Sequence, residues 1–413
     1  MISLKRHTNI ALFYFVLVGA LGLFLRMFFV TPLAANFRYI VHAHSHIALL
    51  GWVYLGLTTL IYHLYFRQSG KDKAYRRIFI FTNITLIGML FTFPFTGYAA
   101  FSITFSTLFL IASYLFAGFV FKNIPPGFKS RPSYKCIRAA ILYLVVSSIG
   151  PWAIGLVMAT LGNTSVWYNL SIYFYLHFQY NAWFILALLG VMFFIIETRG
   201  IAIPARKFRN FFYLFNAGLI LTLFLSALWT HPPVIIYLLG GTGALLQVWA
   251  LVVFVGIIKN PWRELKLTIR PFTRHLLLIA FWLLVGKILM QLFSALPFVA
   301  DLSFHYTDFI IGYLHWVFLG VVSLGLLSFL THFQLIRLPK PAMWIYALGF
   351  ILSELLIFYR GMALWLGFPY FSEHPKLLLA VSALMPLSIY FLFIYNYTHP
   401  PLEDTDETTV ENF

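Results

Sequence analysis

Apolar runs of about twenty residues recur along the whole chain, broken by short polar stretches. The pattern predicts twelve helices near residues 9–30, 38–66, 76–96, 99–121, 138–161, 169–196, 210–229, 233–258, 273–295, 306–333, 342–366 and 375–397. Each run is long enough to carry an α-helix across roughly 30 Å of hydrocarbon. The first follows Lys5 and Arg6 as a signal peptide would, but it is long and no small-residue cleavage site follows, so it reads as a span. The one strongly polar stretch, Glu403 to Phe413, is too short to fold alone. The expectation is an all-α polytopic membrane protein, with one integral membrane domain over residues 1–400 and a short acidic cytoplasmic tail over 401–413.

Composition sharpens this picture. Only 10% of the 413 residues are charged, 61% are hydrophobic and 20% are aromatic, too little charge to cover a soluble protein of this length. The lipid bilayer is therefore the first partner to expect. The formal charge of +16 sits in alternate short loops: Arg67, Lys71 and Lys73; Lys122, Lys129 and Lys135; Arg199, Arg206 and Lys207; Lys259, Arg263 and Arg270; Arg337 and Lys340. The intervening loops carry Arg38 and Lys376 and little else. Under the positive-inside rule this predicts an inner (cytoplasmic) membrane protein with both termini cytoplasmic. Charge so distributed sets topology rather than gripping nucleic acid. A single cysteine, Cys136, allows no internal disulfide, iron–sulfur cluster or CxxCH haem attachment, so any metal chemistry falls to histidine.

Thirteen histidines are present, and several share one depth. The second run carries His42, His44 and His46 in VHAHSHIALLGW, and the sixth carries His177 with Tyr180 in YLHFQYNAWF. His231 follows the seventh, while His305 and His315 belong to the tenth, the latter in GYLHWVFLG. Polar groups inside a bilayer are costly and usually mark a ligand, pathway or partner, although a lone histidine often serves only as an interhelical hydrogen-bond partner. At 100° per residue, His42 and His46 share a helical face and His44 points nearly opposite. No carboxylate is expected to accompany the histidines within their helices, which disfavours a hard-cation site and suits haem iron. Arg360, in the outer half of the eleventh span, is a candidate partner for haem propionates, as Arg26 and Arg38 are at the first two spans. Lys287 has no partner legible in the sequence.

This pattern resembles the catalytic subunit (subunit I) of haem–copper oxidases, in particular the nitric oxide reductase and C-type oxidase branch. The resemblance implies twelve spans and a b-type haem held by one histidine of the second span and one of the tenth. His42, in RYIVH, looks most like the second-span ligand, with His44 and His46 as alternatives; His315 looks like the tenth-span ligand. Tyr313 stands where the family often has a further histidine, and Tyr180 where a copper-binding histidine would stand, which leaves His177 and His231 as the remaining candidates for copper or non-haem iron. The implied work is electron transfer, or dioxygen or nitric oxide chemistry at a degenerate second site, with an electron-donor protein or a quinol as partner. The competing expectation is a non-enzymatic transporter or sensor whose histidines bind a metal or haem. No P-loop or GxGxxG appears, and GGTGA at Gly240–Ala244 lies inside an apolar run, where it suits close helix packing.

Overall fold

The computed structural model describes residues 3–259 and 261–400; the expected acidic tail lies outside the described residues. Among these residues the chain is helical, with no strand. Twelve helices are long and apolar enough to cross a membrane, and the protein is a multi-pass all-α membrane protein: span 1, Leu4–Met27; span 2, Phe37–Phe66; span 3, Asp72–Thr96; span 4, Ala100–Asn123; span 5, Pro132–Thr160; span 6, Val166–Glu197. The second half comprises span 7, Ala205–Thr230; span 8, Val234–Ile258; span 9, Pro271–Phe293; span 10, Thr307–His332; span 11, Lys340–Leu366; and span 12, His374–Thr398.

Helix ends follow local chemistry. Asn36 caps span 2 by accepting from the Tyr39 amide. Proline opens spans 5 and 9, where its missing N–H is no loss. Gly97 ends span 3 in a backbone conformation (φ 59°) that only glycine adopts easily. Spans 1, 5 and 7 begin five or six residues before the apolar pattern starts. Their first turns carry Lys5 and Arg6, Lys135, and Arg206, Lys207 and Arg209. Hydropathy marks where lipid begins, whereas backbone hydrogen bonding continues into basic turns whose side chains can snorkel. Two short helices, Trp262–Thr268 and Pro297–His305, lie between spans.

The chain divides into two compact units. One comprises Met1–Pro125, Leu326–Leu356 and Tyr370–Phe413; the other comprises Pro126–Gly325 and Ile357–Pro369. Within the first, span 1 packs against spans 2 and 12, and span 3 against spans 2 and 4. Within the second, span 5 packs on span 6, span 7 on span 8, and span 9 on spans 8 and 10. The small residues of the GGTGA stretch act as expected from sequence. A Cβ added at Gly243 would sit 2.6 Å from the Thr222 backbone nitrogen, so glycine is what lets span 8 touch span 7.

Three spans contain π-helical turns. Span 2 widens to π-helical turns over Ile47–Tyr54, span 6 over His177–Phe184 and span 10 over Trp316–Ser323. Such turns are rare and concentrate at functional sites. Each of the three begins at, or immediately after, one of the singled-out histidines.

Candidate functional site

Span 2 displays its histidines as the helical period requires. The His42 ring stands edge-on to Tyr98, with centroids 4.5 Å apart, and the His46 ring lies over Phe93 at 4.4 Å. Both therefore face the end of span 3. His44 faces span 1, where its Nδ1 donates to the Val18 carbonyl at 3.1 Å. Glycine at position 22 makes room for this ring, since a Cβ there would lie 3.0 Å from His44 Cε1. His46 Nδ1 donates to the His42 carbonyl at 2.8 Å. That bond places the proton on Nδ1 and the lone pair on Nε2, the arrangement in which a carbonyl-anchored imidazole serves as a metal ligand. All three rings are half-buried.

In span 10, His315 is half-buried and immediately precedes the π-helical segment. The next residue pins this turn: the Trp316 indole donates to the Leu283 carbonyl of span 9 at 2.8 Å and rests over Gly286. Spans 2 and 10 share a pattern that periodicity alone does not bring out. His46-x4-Gly51-x4-Gly56 matches His315-x4-Gly320-x4-Gly325, and in both an eight-residue π-helical segment starts one residue after the histidine. In this register His46, rather than His42, corresponds to His315.

The second unit holds a cavity of about 410 Å³ lined by His177, Tyr180 and Asn181 of span 6, Trp229 of span 7, Gln291 of span 9 and Tyr313 of span 10, among others. The Tyr180 and Tyr313 rings are 6.2 Å apart, edge to face. His177 is fully committed to hydrogen bonds. Its Nε2 donates to the Leu219 carbonyl at 2.8 Å and its Nδ1 accepts from the Asn181 amide at 3.2 Å. Leu219 can receive this bond because span 7 tightens to a 3₁₀ helix over Leu223–Thr230, which withdraws the usual i+4 donor. Thr222 and Gln247 extend the polar chain, with Gln247 donating to the Thr222 hydroxyl at 3.1 Å. The reading from sequence missed Asn181, Gln291 and Gln247; each is an amide inside an apolar span, a costly feature that could have flagged it.

The residues considered for copper or iron do not converge. His177 and Tyr180 line the cavity, but His231 does not. It ends span 7 in a left-handed conformation (φ 51°) before two prolines, and its side chain is 70% exposed, 3.7 Å from Asp301. His305 is likewise exposed and donates to the Asp301 carbonyl. Among the described residues, no group of three or more His, Cys, Asp or Glu side chains is placed to hold a metal ion.

The expectation that no carboxylate accompanies the histidines in their helices is corrected by Asp308, buried in the first turn of span 10. It pairs with Arg360 at 3.8 Å, the Asp308 side chain 8% exposed and that of Arg360 29%. Arg360, read as a propionate partner, therefore has a protein carboxylate beside it. Lys287 also has a partner: its ammonium donates to Gln291 Oε1 one turn further along span 9. Glu354 is buried in the first unit.

Compared with known proteins, the chain matches no family model and no curated protein sequence.

Proposed function

We propose that the protein binds a b-type haem, for which His46 of span 2 and His315 of span 10 would be the imidazole ligands, and works in electron transfer or in dioxygen or nitric oxide chemistry, as in the resembled haem–copper oxidase subunit. The observation that carries this reading is the repeated His-x4-Gly-x4-Gly stretch with a π-helical turn directly after each histidine. The donor set fits haem iron: two imidazoles, that of His46 lying over Phe93 and held by a backbone carbonyl with Nε2 open to ligate. A bound haem would supply a one-electron iron couple. What the chain itself contributes is the tautomer and direction of His46, fixed by the His42 carbonyl and the Phe93 ring. His42, beside Tyr98, keeps the same face and belongs to the surroundings of that ligand; His44, tied to Val18, belongs to the opposite side.

Dithionite reduction of the purified protein should give sharp α and β bands, and acid acetone should extract the haem. Copper should stay well below one per chain, because His177 has both nitrogens engaged and His231 lies outside the cavity. A colourless protein from a haem-replete host would overturn the proposal and favour the transporter or sensor reading.

Loop charge supports an inner-membrane orientation with both termini cytoplasmic. Reporter fusions at Lys129, Gly200, Arg263 and Leu338 should all read cytoplasmic. A periplasmic readout at any of them would break the twelve-span arrangement.

A further inference from the structure

We propose that the cavity of the second unit binds a single-chain amphiphile with a carboxylate head, a free fatty acid, held through Gln291 by the buried charge of Lys287. This site goes beyond the haem reading and uses none of its residues.

Span 9 carries an ammonium where membrane-crossing helices rarely place one. Lys287 is 2% exposed, and among the described residues its ammonium meets one side-chain acceptor, Gln291 Oε1, and no carboxylate. A cation so buried is normally balanced by an anion, and inside a span it marks a ligand or a pathway. An ammonium only donates, so the Gln291 amide must turn its oxygen to Lys287 and its two N–H groups the other way. Gln291 lines the cavity, and its Nε2 donates to no protein acceptor among the described residues. With Gln291 only 6% exposed, this is a sheltered donor without an acceptor, and the Lys287 charge behind it increases its strength.

The rest of the cavity sets the rest of the ligand. Leu176, Leu225, Met290, Phe293, Leu302 and Phe304 give it an apolar lining, the last two from the short helix Pro297–His305. No Asp, Glu, Lys or Arg lines it among the described residues. Asp308, next to Phe309 of the wall, is paired with Arg360 and leaves the Lys287 charge unbalanced. One cation and one amide suit one negative charge, and a carboxylate oxygen can accept from Gln291 Nε2. An inorganic anion would leave the apolar volume of about 410 Å³ unfilled, and a neutral amphiphile would leave the charge unanswered. A hydrocarbon chain ending in a carboxylate answers both. An anionic phospholipid brings the same charge on two chains, and the experiment separates the two.

The test uses the full-length protein in phosphatidylcholine nanodiscs with a diazirine-bearing dodecanoic acid, mapping labelled residues by mass spectrometry. Labelling of spans 6 and 9 and of the short helix around the cavity should saturate. Dodecanoate should compete roughly tenfold or more better than its methyl ester, the value of a hydrogen bond to a charged group. Lys287→Met should remove that preference while leaving competition by the ester in place. Gln291→Glu is the second variant should the methionine protein not fold, because the new side chain can pair with Lys287. It places a negative charge at the ligand head, so it should exclude dodecanoate and admit dodecylamine. Non-saturable labelling, equal competition by the ester, displacement by chloride or by phosphatidylglycerol as effective as by dodecanoate, or a preference for the acid retained in Gln291→Glu would each overturn the proposal.

Discussion

His46→Ala is expected to abolish the low-spin spectrum of the proposed haem completely, and His315→Ala to do the same, because each would remove one of the two imidazoles proposed to hold it and the orientation that goes with it. His44→Ala should leave the bands in place, since its ring is turned to span 1 and bonded to the Val18 carbonyl. His42→Ala should also keep them, with at most a shifted potential: the hydrogen bond that orients His46 is to the His42 backbone carbonyl, which alanine retains. Resemblance of the upstream RYIVH string favours His42, whereas the tautomer of His46 and its match to His315 favour His46. The visible spectrum of the four variants decides between them. Loss at His42 with retention at His46 returns the ligand to His42, and retention in all three span 2 variants removes span 2 from the site. His46→Gly with added imidazole gives a further check, as a ligand role predicts recovery of the bands.

Arg360→Met is expected to destabilise the protein by about 3–5 kcal/mol, because it leaves the Asp308 carboxylate buried without its ion partner. Asp308→Ala should cost less, about 2–3 kcal/mol, since the Arg360 side chain is 29% exposed and better hydrated when left behind. The double variant Asp308→Leu with Arg360→Met should recover most of the loss, as apolar replacement of a buried pair is often close to neutral. Unfolding of the haem-free protein in detergent measures all three. The same experiment separates the ion-pair role of Arg360 from a role toward haem propionates. An ion-pair role predicts the same loss with and without haem, whereas a propionate role predicts a loss confined to the haem-loaded protein.

How much of this was legible from the residues differs between fold and site. Span number and position followed from apolar run length, because a bilayer imposes one length scale on every crossing helix and turns composition into structure. The opposed faces of His42/His46 and His44 followed from the 100° period, and the close crossing at GGTGA from the absence of side-chain bulk. The partners of Arg360 and Lys287 were not legible in the same way. Asp308 lies 52 residues from Arg360, and no periodicity reports which turn of span 10 meets which turn of span 11. Gln291 was within reach, one turn from Lys287 on the same helix, yet nothing local shows that Gln291 also lines a cavity.

The sequence by itself determined the solvent: twelve apolar helices, the spacing of their breaks, and which of them carry histidine. Only the tertiary structure decided what those histidines can do. Whether a ring nitrogen is free depends on which carbonyl or amide it meets, and those groups arrive from elsewhere in the fold or from a local departure from the α-helix. The 3₁₀ turn of span 7 exposes the Leu219 carbonyl that occupies His177, and the His42 carbonyl holds the proton that leaves His46 Nε2 open. Hydrophobic burial is additive over residues and can be read in order along a chain. Hydrogen bonds are directional and pairwise, so their assignment waits until the helices have packed.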